Sequence, residues 1–334
     1  MPLTVAILGA GAWGTALALH LASRATAAPR VRLVARSAEQ ADAIRRAREN
    51  VRYLPGVALP ESLEVTADPD RVAGVDYLVV ATPVAALETV ARAFASRSTG
   101  APLVWLSKGF VGGDDGPALP HRRLAPLWPA SVAVVSGPSF AEEVARGLPT
   151  ALAVAATAPD LAADVATLLR GDTLRAYHSE DIAGVETGGA VKNVLAIAAG
   201  ASDGLGFGHN ARAALITRGL AETARLAVAL GGKRETMMGL AGLGDLVLTC
   251  TGDLSRNRRV GLALASGRRL PEILADLGHV AEGVHAARAV RVLAARHGID
   301  MPIAAAVDRV LHEDLPVREA VAGLLRREPR PEAH

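Results

Sequence analysis

The sequence predicts an α/β protein, with a Rossmann-like doubly wound parallel sheet followed by an all-α domain. In the first half of the chain, short apolar runs alternate with helical patterns, which is typical of a parallel sheet with covering helices. Residues 9–14 read GAGAWG, a glycine loop that directly follows the first apolar run. From about Asp181 onward, long helical patterns rich in Ala, Leu and Val replace the strands.

Most of the predicted strands are short apolar runs bounded by polar or turn-forming residues. The strands are predicted over residues 3–8, 31–35, 77–81, 103–106 and 132–135, with residues 151–155 and 173–177 extending the sheet. Helices are predicted over residues 12–24 and 38–49, and between the last two strands. A chain of 334 residues exceeds one typical domain, so we expect a dinucleotide-binding domain (1–180) and a helical substrate domain (181–334).

Composition excludes several classes of protein. The net charge of +2 is too small to indicate a nucleic-acid-binding protein. Cys250 is the only cysteine, so we expect neither an internal disulfide nor a cysteine-rich metal site, and no metal is predicted. We see no apolar run of the ~18–20 residues that a membrane helix needs and no signal peptide. These observations favour a cytoplasmic protein without a membrane span.

Lysine is rare in this chain. Of the 36 basic Lys and Arg side chains only three are lysines: Lys108, Lys192 and Lys233. The pKa of a lysine moves readily on burial, whereas arginine stays charged, so a retained lysine is a candidate for proton transfer. The alternative is that a given lysine is retained by chance. Lys233 has the surroundings of a solvated turn.

The glycine loop predicts a dinucleotide site, because it lies between a strand and a helix. Gly9 permits a tight turn, Gly11 lets the backbone approach a pyrophosphate, and Gly14 lets the helix pack close to the strand. The first helical N–H groups then face the phosphates. Trp13, inside the loop, could pack against the cofactor or lie at the domain interface.

Arg36 follows the second strand, where an NAD-preferring site often has an acidic residue. An arginine there could pair with a 2′-phosphate, which favours NADP over NAD as the cofactor. A solvated surface arginine is the competing interpretation, since the protein is rich in arginine.

Three further segments gather reactive groups. Lys108 and the loop bearing Gly137 and Ser139 both follow strand ends, the edge where ligands bind in open α/β sheets. Lys192 follows a pair of glycines and enters an Ala-rich helix, so it must be neutral, paired or functional.

The downstream residues offer partners for these groups. Asp245 could pair with Lys192 and orient it, or it could simply cap a helix. Ser255, Arg256 and Asn257 could together bind a phosphate, with Arg256 supplying two parallel N–H donors. Arg258 and Arg259 are expected to form a solvated basic face.

Taken together, these segments closely resemble the bacterial-type NAD(P)-dependent glycerol-3-phosphate dehydrogenases, from Val5 to about Glu319. The long second-domain motifs carry most of the resemblance. The matching stretches are residues 7–18, 106–110 (LSKGF), 136–151 (SGPSFAEEVARGLPTA), 188–222, 239–259 and 280–283 (VAEG). Ala12 stands where the family often has serine, and the residue at position 36 varies within the family.

The resemblance implies a role for each matching residue. Lys192 matches the proton donor and acceptor at the substrate oxygen, and Lys108 matches a residue that touches both cofactor and substrate. The other substrate positions are Gly137, Ser139, Asp245, Ser255, Arg256 and Asn257. The other cofactor positions are Gly9, Gly11, Ala12, Trp13, Gly14, Arg36, Ala141, Arg256, Val280 and Glu282.

The implied reaction is hydride transfer between NAD(P)H and dihydroxyacetone phosphate, giving sn-glycerol 3-phosphate. Lys192 would act as general acid in reduction, with Lys108 and Asp245 completing the catalytic group. We expect crowding of cations to depress the pKa of Lys192 and Asp245 to limit that fall. The resemblance also implies a homodimer and a role in glycerophospholipid synthesis.

Two other functions fit parts of the sequence. An NADP-dependent β-hydroxyacid dehydrogenase or ketopantoate-type reductase shares the glycine loop and a lysine in the helical domain, but its substrate carries a carboxylate. The Ser255–Arg256–Asn257 run argues against it. A redox sensor that binds NADP without chemistry would not need Lys108, Lys192 and Asp245 together.

Overall fold

The computed structural model describes residues 2–26, 28–98, 100–278 and 281–327. Within these ranges the strands are β1 (Thr4–Leu8), β2 (Arg30–Val34), β3 (Glu49–Asn50), β4 (Leu54–Ala58), β5 (Glu64–Thr66), β6 (Tyr77–Val80), β7 (Leu103–Trp105), β8 (Val132–Ser136), β9 (Thr150–Ala156) and β10 (Leu174–Ser179). The helices of the first half are α1 (Ala12–Ala22), α2 (Ala38–Ala47), α3 (Leu87–Phe94), α4 (Pro120–Leu124), α5 (Ala141–Ala145) and α6 (Pro159–Leu169). Those of the second half are α7 (Ile182–Gly204), α8 (Gly208–Ala229), α9 (Asp245–Thr251), α10 (Arg256–Ala265), α11 (Leu270–Leu277), α12 (Glu282–Arg296), α13 (Pro302–His312) and α14 (Val317–Leu325).

Eight of these strands form one sheet in the order β10-β9-β8-β7-β6-β1-β2-β5. The predicted Rossmann-like fold class is confirmed, and all seven predicted strands are present. Strands β2 and β6 lie on opposite sides of β1, so the chain reverses its winding direction there. Apolar side chains fill both faces of the sheet. Burial on both faces explains why β1, β6, β7 and β8 are continuous apolar runs, whereas the edge strand β10 alternates between buried and exposed residues.

The sheet departs from the parallel arrangement at one pair, since β8 and β9 run antiparallel. The connection between them contains only the five-residue helix α5, which packs against α1 rather than covering the sheet. A parallel crossover usually needs a full helix to return the chain to the same edge, so the shorter connection lets β9 run the opposite way. A two-stranded hairpin, β3–β4, was also not predicted.

The central element of the second half is α7, which contacts α8, α9, α10, α12 and α13. Asp181 caps its start: the carboxylate accepts hydrogen bonds from the backbone N–H groups of Gly184 (2.8 Å) and Lys233 (2.7 Å). Helix α10 packs so close to α7 that a Cβ on Gly200 or Gly261 would lie 2.0 Å from a backbone carbonyl oxygen of the other helix. This close approach fixes the start of α10 relative to α7.

Helix α7 is long and apolar enough to cross a membrane by length and composition, and it is the one such helix in the described residues. Inside the protein, 89% of its most apolar window is buried, as in the core helix of a folded domain. The last strand of the sheet ends at Ser179 and α7 begins at Ile182, while α7 also contacts β8 and β9. The division into domains at residue 180 stays a prediction.

Candidate active site

Five strands deliver loops to one edge of the sheet. Strands β1, β2, β6, β7 and β8 run parallel, so their carboxyl ends lie side by side. The residues that follow them include Gly9, Arg36, Thr82, Lys108 and Gly137. Such an edge is the usual ligand-binding side of an open α/β sheet. The structure therefore brings the predicted cofactor loop and part of the predicted substrate site together.

The three glycines of the loop differ in their surroundings as a dinucleotide site requires. Gly9 has φ +108°, and a Cβ there would lie 3.0 Å from the Ala81 carbonyl. A Cβ on Gly14 would lie 2.0 Å from the Gly9 carbonyl oxygen, whereas one on Gly11 would have no atom within 4 Å. Gly11 therefore faces open space, next to the uncapped N-terminus of α1. These residues fit a pyrophosphate.

Two side chains that the sequence analysis missed hold this loop. Gln40 Nε2 donates to the Ala10 carbonyl oxygen at 2.8 Å, and Asn50 Nδ2 donates to the same oxygen at 3.1 Å. Asn50 lies in the unpredicted β3–β4 hairpin, and its amide also donates to the Thr15 hydroxyl at 2.7 Å. No local sequence pattern links these residues to the loop.

Arg36 is exposed just beyond β2. Its backbone N–H faces Gln40 Oε1 at 3.4 Å, and its guanidinium makes no hydrogen bond or ion pair within the described ranges. Ser37 caps α2 by accepting a hydrogen bond from the Gln40 N–H. Arg36 is therefore available to an anion beside the glycine loop.

The three predicted catalytic residues form one cluster. Lys108 Nζ donates to Asp245 Oδ2 at 2.6 Å, and Lys192 Nζ donates to Asp245 Oδ1. Asp245 is fully buried, Lys192 is 8% exposed, and Lys108 is half-buried. Asp245 begins α9, yet its carboxylate binds the two ammonium groups rather than capping the helix. A single buried carboxylate thus places both ammonium groups at the sheet edge.

Burial tunes the ionisation of this cluster. It lowers the pKa of Lys192 to about 7, with Lys108 adding to the fall and Asp245 opposing it. The direction agrees with the expectation, but the largest cause is burial rather than crowding of cations. Burial raises the pKa of Asp245, but the two ammonium groups outweigh it and hold that pKa below its ordinary value. Lys192 can therefore gain and lose a proton near neutral pH while Asp245 stays ionised.

The glycines before Lys192 allow close packing between the two halves of the chain. A Cβ on Gly188 would lie 2.4 Å from the Ala241 carbonyl oxygen, and one on Gly189 would lie 2.8 Å from Ser136 Oγ. These glycines therefore serve the approach of neighbouring loops. Two neighbours of Lys192 were missed: Thr249, whose hydroxyl accepts a hydrogen bond from Lys192 Nζ at 3.0 Å, and Asn193.

The predicted phosphate-binding residues lie at the start of α10. Ser255 caps the helix, its hydroxyl accepting from the Arg258 N–H at 3.2 Å. Asn257 is tied into the fold: Nδ2 donates to Asn193 Oδ1 at 2.9 Å, and Oδ1 accepts from the Gly283 N–H at 3.0 Å. Arg256 is exposed, and its guanidinium has no hydrogen-bond or ion-pair partner in the part of the chain described. Of the three side chains, Arg256 is the freest to bind an anion.

The expectation of a solvated basic face is wrong for Arg258. Its side chain is 12% exposed and pairs with Asp203 at 2.7 Å and with Asp253 at 2.9 Å. Asp203 also pairs with Arg212 at 2.9 Å. Arg259 is exposed, as expected.

Of the remaining predicted cofactor residues, Glu282 lies at the junction of the two halves. Glu282 Oε1 accepts a hydrogen bond from the Val84 N–H, beyond the end of β6, at 3.3 Å. Ala141 is the first residue of α5, and it packs on the same apolar cluster as Trp13. Val280 lies outside the described residues. Ala12 is the first residue of α1, next to Gly11.

The loop after β8 connects several of these groups. Gly137 has φ +132°, a conformation that favours glycine. Its carbonyl oxygen accepts hydrogen bonds from Lys108 Nζ and from Ser139 Oγ, each at 3.0 Å. Trp13 Nε1 donates to the Ser139 carbonyl oxygen at 3.0 Å. The structure places Trp13 between the glycine loop and this second loop, which was neither of the two locations considered.

Comparison with known proteins adds independent support. Residues 4–162 match the model of the NAD-dependent glycerol-3-phosphate dehydrogenase N-terminus, and residues 181–322 match that of its C-terminus. The chain is 55% identical over 332 residues to a glycerol-3-phosphate dehydrogenase [NAD(P)+] of Aromatoleum aromaticum, covering 98% of this chain and 99% of the relative. A relative of the same name from Thiobacillus denitrificans is 54% identical, with 99% and 100% covered.

Solved structures agree with this assignment. The glycerol-3-phosphate dehydrogenase of Coxiella burnetii has a TM-score of 0.92 at 44% identity, covering 97% of this chain and 99% of that one. A ketopantoate reductase of Ralstonia eutropha JMP134 covers 97% of this chain and 100% of its own, but at TM-score 0.56 and 18% identity it shares the fold alone. The chain therefore belongs to the NAD-dependent glycerol-3-phosphate dehydrogenase family.

Proposed function

We propose that this protein reduces dihydroxyacetone phosphate to sn-glycerol 3-phosphate with NADPH or NADH, supplying glycerophospholipid synthesis. The observation that carries the proposal is the buried Lys192–Asp245–Lys108 cluster at the sheet edge that also bears the glycine loop. Family membership supports the same substrate, since the relatives carry this activity in their names.

Each residue of the cluster has its own role in the proposed reaction. The cofactor, when bound along the glycine loop, supplies the hydride. Lys192 donates its proton to the oxygen at substrate C2 in reduction and accepts it in oxidation. Lys108 places a second positive charge beside that oxygen and stabilises the developing alkoxide. Asp245 stays ionised and orients both ammonium groups.

The direct test follows the absorbance of the reduced nicotinamide with dihydroxyacetone phosphate present. We expect rapid oxidation of NADPH or NADH with this substrate and none with 2-keto acids, and we expect no reduction of NADP+ or NAD+ with 3-hydroxy acids. Activity confined to the carboxylate substrates would point to a ketopantoate-type reductase. Tight cofactor binding without turnover of any phosphorylated ketone would indicate a sensor.

Arg256 is proposed to bind the substrate phosphate, with Ser255 and Asn257 shaping the same turn. We expect Arg256→Ala to raise KM for dihydroxyacetone phosphate about 10-fold or more, because a hydrogen bond to a charged group contributes about 1.5–3 kcal/mol. Steady-state kinetics measures this, with Arg259→Ala, an exposed neighbour, as the matched control. An equal loss with unphosphorylated dihydroxyacetone would contradict the phosphate assignment.

Arg36 is proposed to favour NADP by pairing with the 2′-phosphate, because its guanidinium has no partner within the described residues and no carboxylate occupies the end of β2. We expect the ratio of kcat/KM for NADPH to that for NADH to fall about 10-fold in Arg36→Ala. Arg30→Ala, an exposed arginine at the other end of β2, should leave the ratio unchanged. An unchanged ratio in Arg36→Ala would show that Arg36 is only a surface residue.

The cellular setting is also proposed. The resemblance to the family supports a homodimer acting in the cytoplasm, in the direction of reduction. Sedimentation of the purified protein would give one species of twice the chain mass, and a single species of one chain mass would contradict the dimer.

A further inference from the structure

One hydrogen bond joins the loop after β1 to the loop after β8. Trp13 Nε1 donates to the Ser139 carbonyl oxygen at 3.0 Å, although the two residues lie 126 positions apart in the sequence. Trp13 is half-buried, and its ring packs on the same apolar cluster as Ala141 and Ala145 of α5. The proposed reaction uses neither the indole N–H nor this carbonyl.

The bond is the first of a series that ends at the catalytic ammonium groups. Ser139 Oγ donates to the Gly137 carbonyl oxygen at 3.0 Å, and Lys108 Nζ donates to the same oxygen at 3.0 Å. Lys108 in turn donates to Asp245, the partner of Lys192. The orientation of the loop between Gly137 and Ser139 is therefore connected to both the glycine loop and the catalytic cluster.

The Ser139 carbonyl depends on this bond. Within the described ranges, the indole N–H is the one hydrogen-bond donor to the Ser139 carbonyl. Gly137 has φ +132°, and a Cβ there would lie 3.1 Å from the Ala151 carbonyl oxygen, so the backbone turns sharply against β9. Losing the indole donor would leave a half-buried carbonyl without its partner and free the Ser139 peptide to turn.

We propose that Trp13 is a positioning residue for the substrate: its indole N–H holds the Ser139 carbonyl and so sets the loop that presents Gly137 and Ser139. The inference rests on the proposed function and on the expectation from the sequence that these two residues contact the substrate. It assigns to the aromatic residue of the glycine loop a role in substrate affinity, separate from any contact with the cofactor.

The test compares two tryptophans that make the same kind of bond. Trp13→Phe keeps a ring but removes the N–H donor. Trp128→Phe removes a matched bond, from Trp128 Nε1 to the Ala101 carbonyl oxygen at 2.8 Å, which lies away from the site. We expect Trp13→Phe to raise KM for dihydroxyacetone phosphate about fivefold, the size of one net hydrogen bond, and to raise it by a larger factor than the Kd for NADPH.

Trp128→Phe should lower Tm without changing KM for dihydroxyacetone phosphate. A Trp13→Phe enzyme with the wild-type KM, or with KM and the Kd for NADPH raised in equal proportion, would overturn the inference. An unchanged KM would show that the bond does not affect substrate binding. An equal rise in KM and in the Kd for NADPH would show that Trp13 acts through the cofactor alone. A wild-type protein that does not reduce dihydroxyacetone phosphate would overturn the proposed function as well, which distinguishes the two failures.

Discussion

Lys192→Ala is expected to lower kcat for the reduction of dihydroxyacetone phosphate by at least ~10²-fold, the lower range for loss of a general acid. The expectation follows from the position of Lys192, which is buried beside Asp245 and has a pKa of about 7. Steady-state kinetics at neutral pH measures the loss, while the Kd for NADPH should change little, because Lys192 is proposed to act on the substrate oxygen and not to bind the cofactor.

The matched control for this variant is Lys233→Ala. Lys233 is one of the three lysines, but its side chain is 60% exposed and faces Glu180 at 3.8 Å. This control should keep wild-type turnover. If Lys192→Ala also kept near-normal turnover, Lys192 would have no part in proton transfer, and another donor would have to be found.

Asp245→Asn is expected to have the second largest effect. The neutral amide no longer compensates the two ammonium groups, and the loss of the carboxylate lowers the pKa of Lys192 further, since Asp245 raises it. Less Lys192 is then protonated at neutral pH, so reduction should fall about 10-fold or more and its optimum should shift to lower pH. Breaking the buried pair should also lower the free energy of unfolding by about 3 kcal/mol.

Kinetics over a pH series and denaturant unfolding measure these two effects. Asp276→Asn is the control, because it likewise removes the carboxylate of an ion pair. This pair is with an arginine, and the Asp276 side chain is 68% exposed. The control should change neither quantity appreciably. An Asp245→Asn enzyme with the wild-type pH profile would show that the carboxylate does not tune Lys192.

The order of strands and helices was predictable because its signals are local. An apolar run such as Val132–Ser136 is buried on both faces of the sheet, so it can be predicted as a strand without knowing which strands lie beside it. The direction of β9 was not predictable, since it depends on how the short α5 packs on α1. The same limit applies to Asn50, which reaches Ala10 from a hairpin 40 residues away.

In the candidate site, too, the local features were predictable and most long-range contacts were not. The reactive types of Lys108, Lys192 and Asp245 were visible in the sequence, and so was a pairing of Lys192 with Asp245 across 53 residues. That Lys108 shares the same carboxylate from 137 residues away was not, because no spacing encodes such a contact. Arg258 was mistaken for a surface residue because its partner Asp203 lies 55 residues away in the sequence, beyond the range of a local pattern.

The pH dependence of kcat/KM, measured in both directions on the wild-type enzyme and on Lys192→Ala, tests most directly whether Lys192 is the proton donor and acceptor. Reduction needs the protonated amine, so kcat/KM for dihydroxyacetone phosphate should fall as the pH rises through about 7. Oxidation needs the neutral amine, so kcat/KM for sn-glycerol 3-phosphate should fall as the pH drops through the same value. Both inflections should be absent from Lys192→Ala, and finding either one retained there would contradict the account.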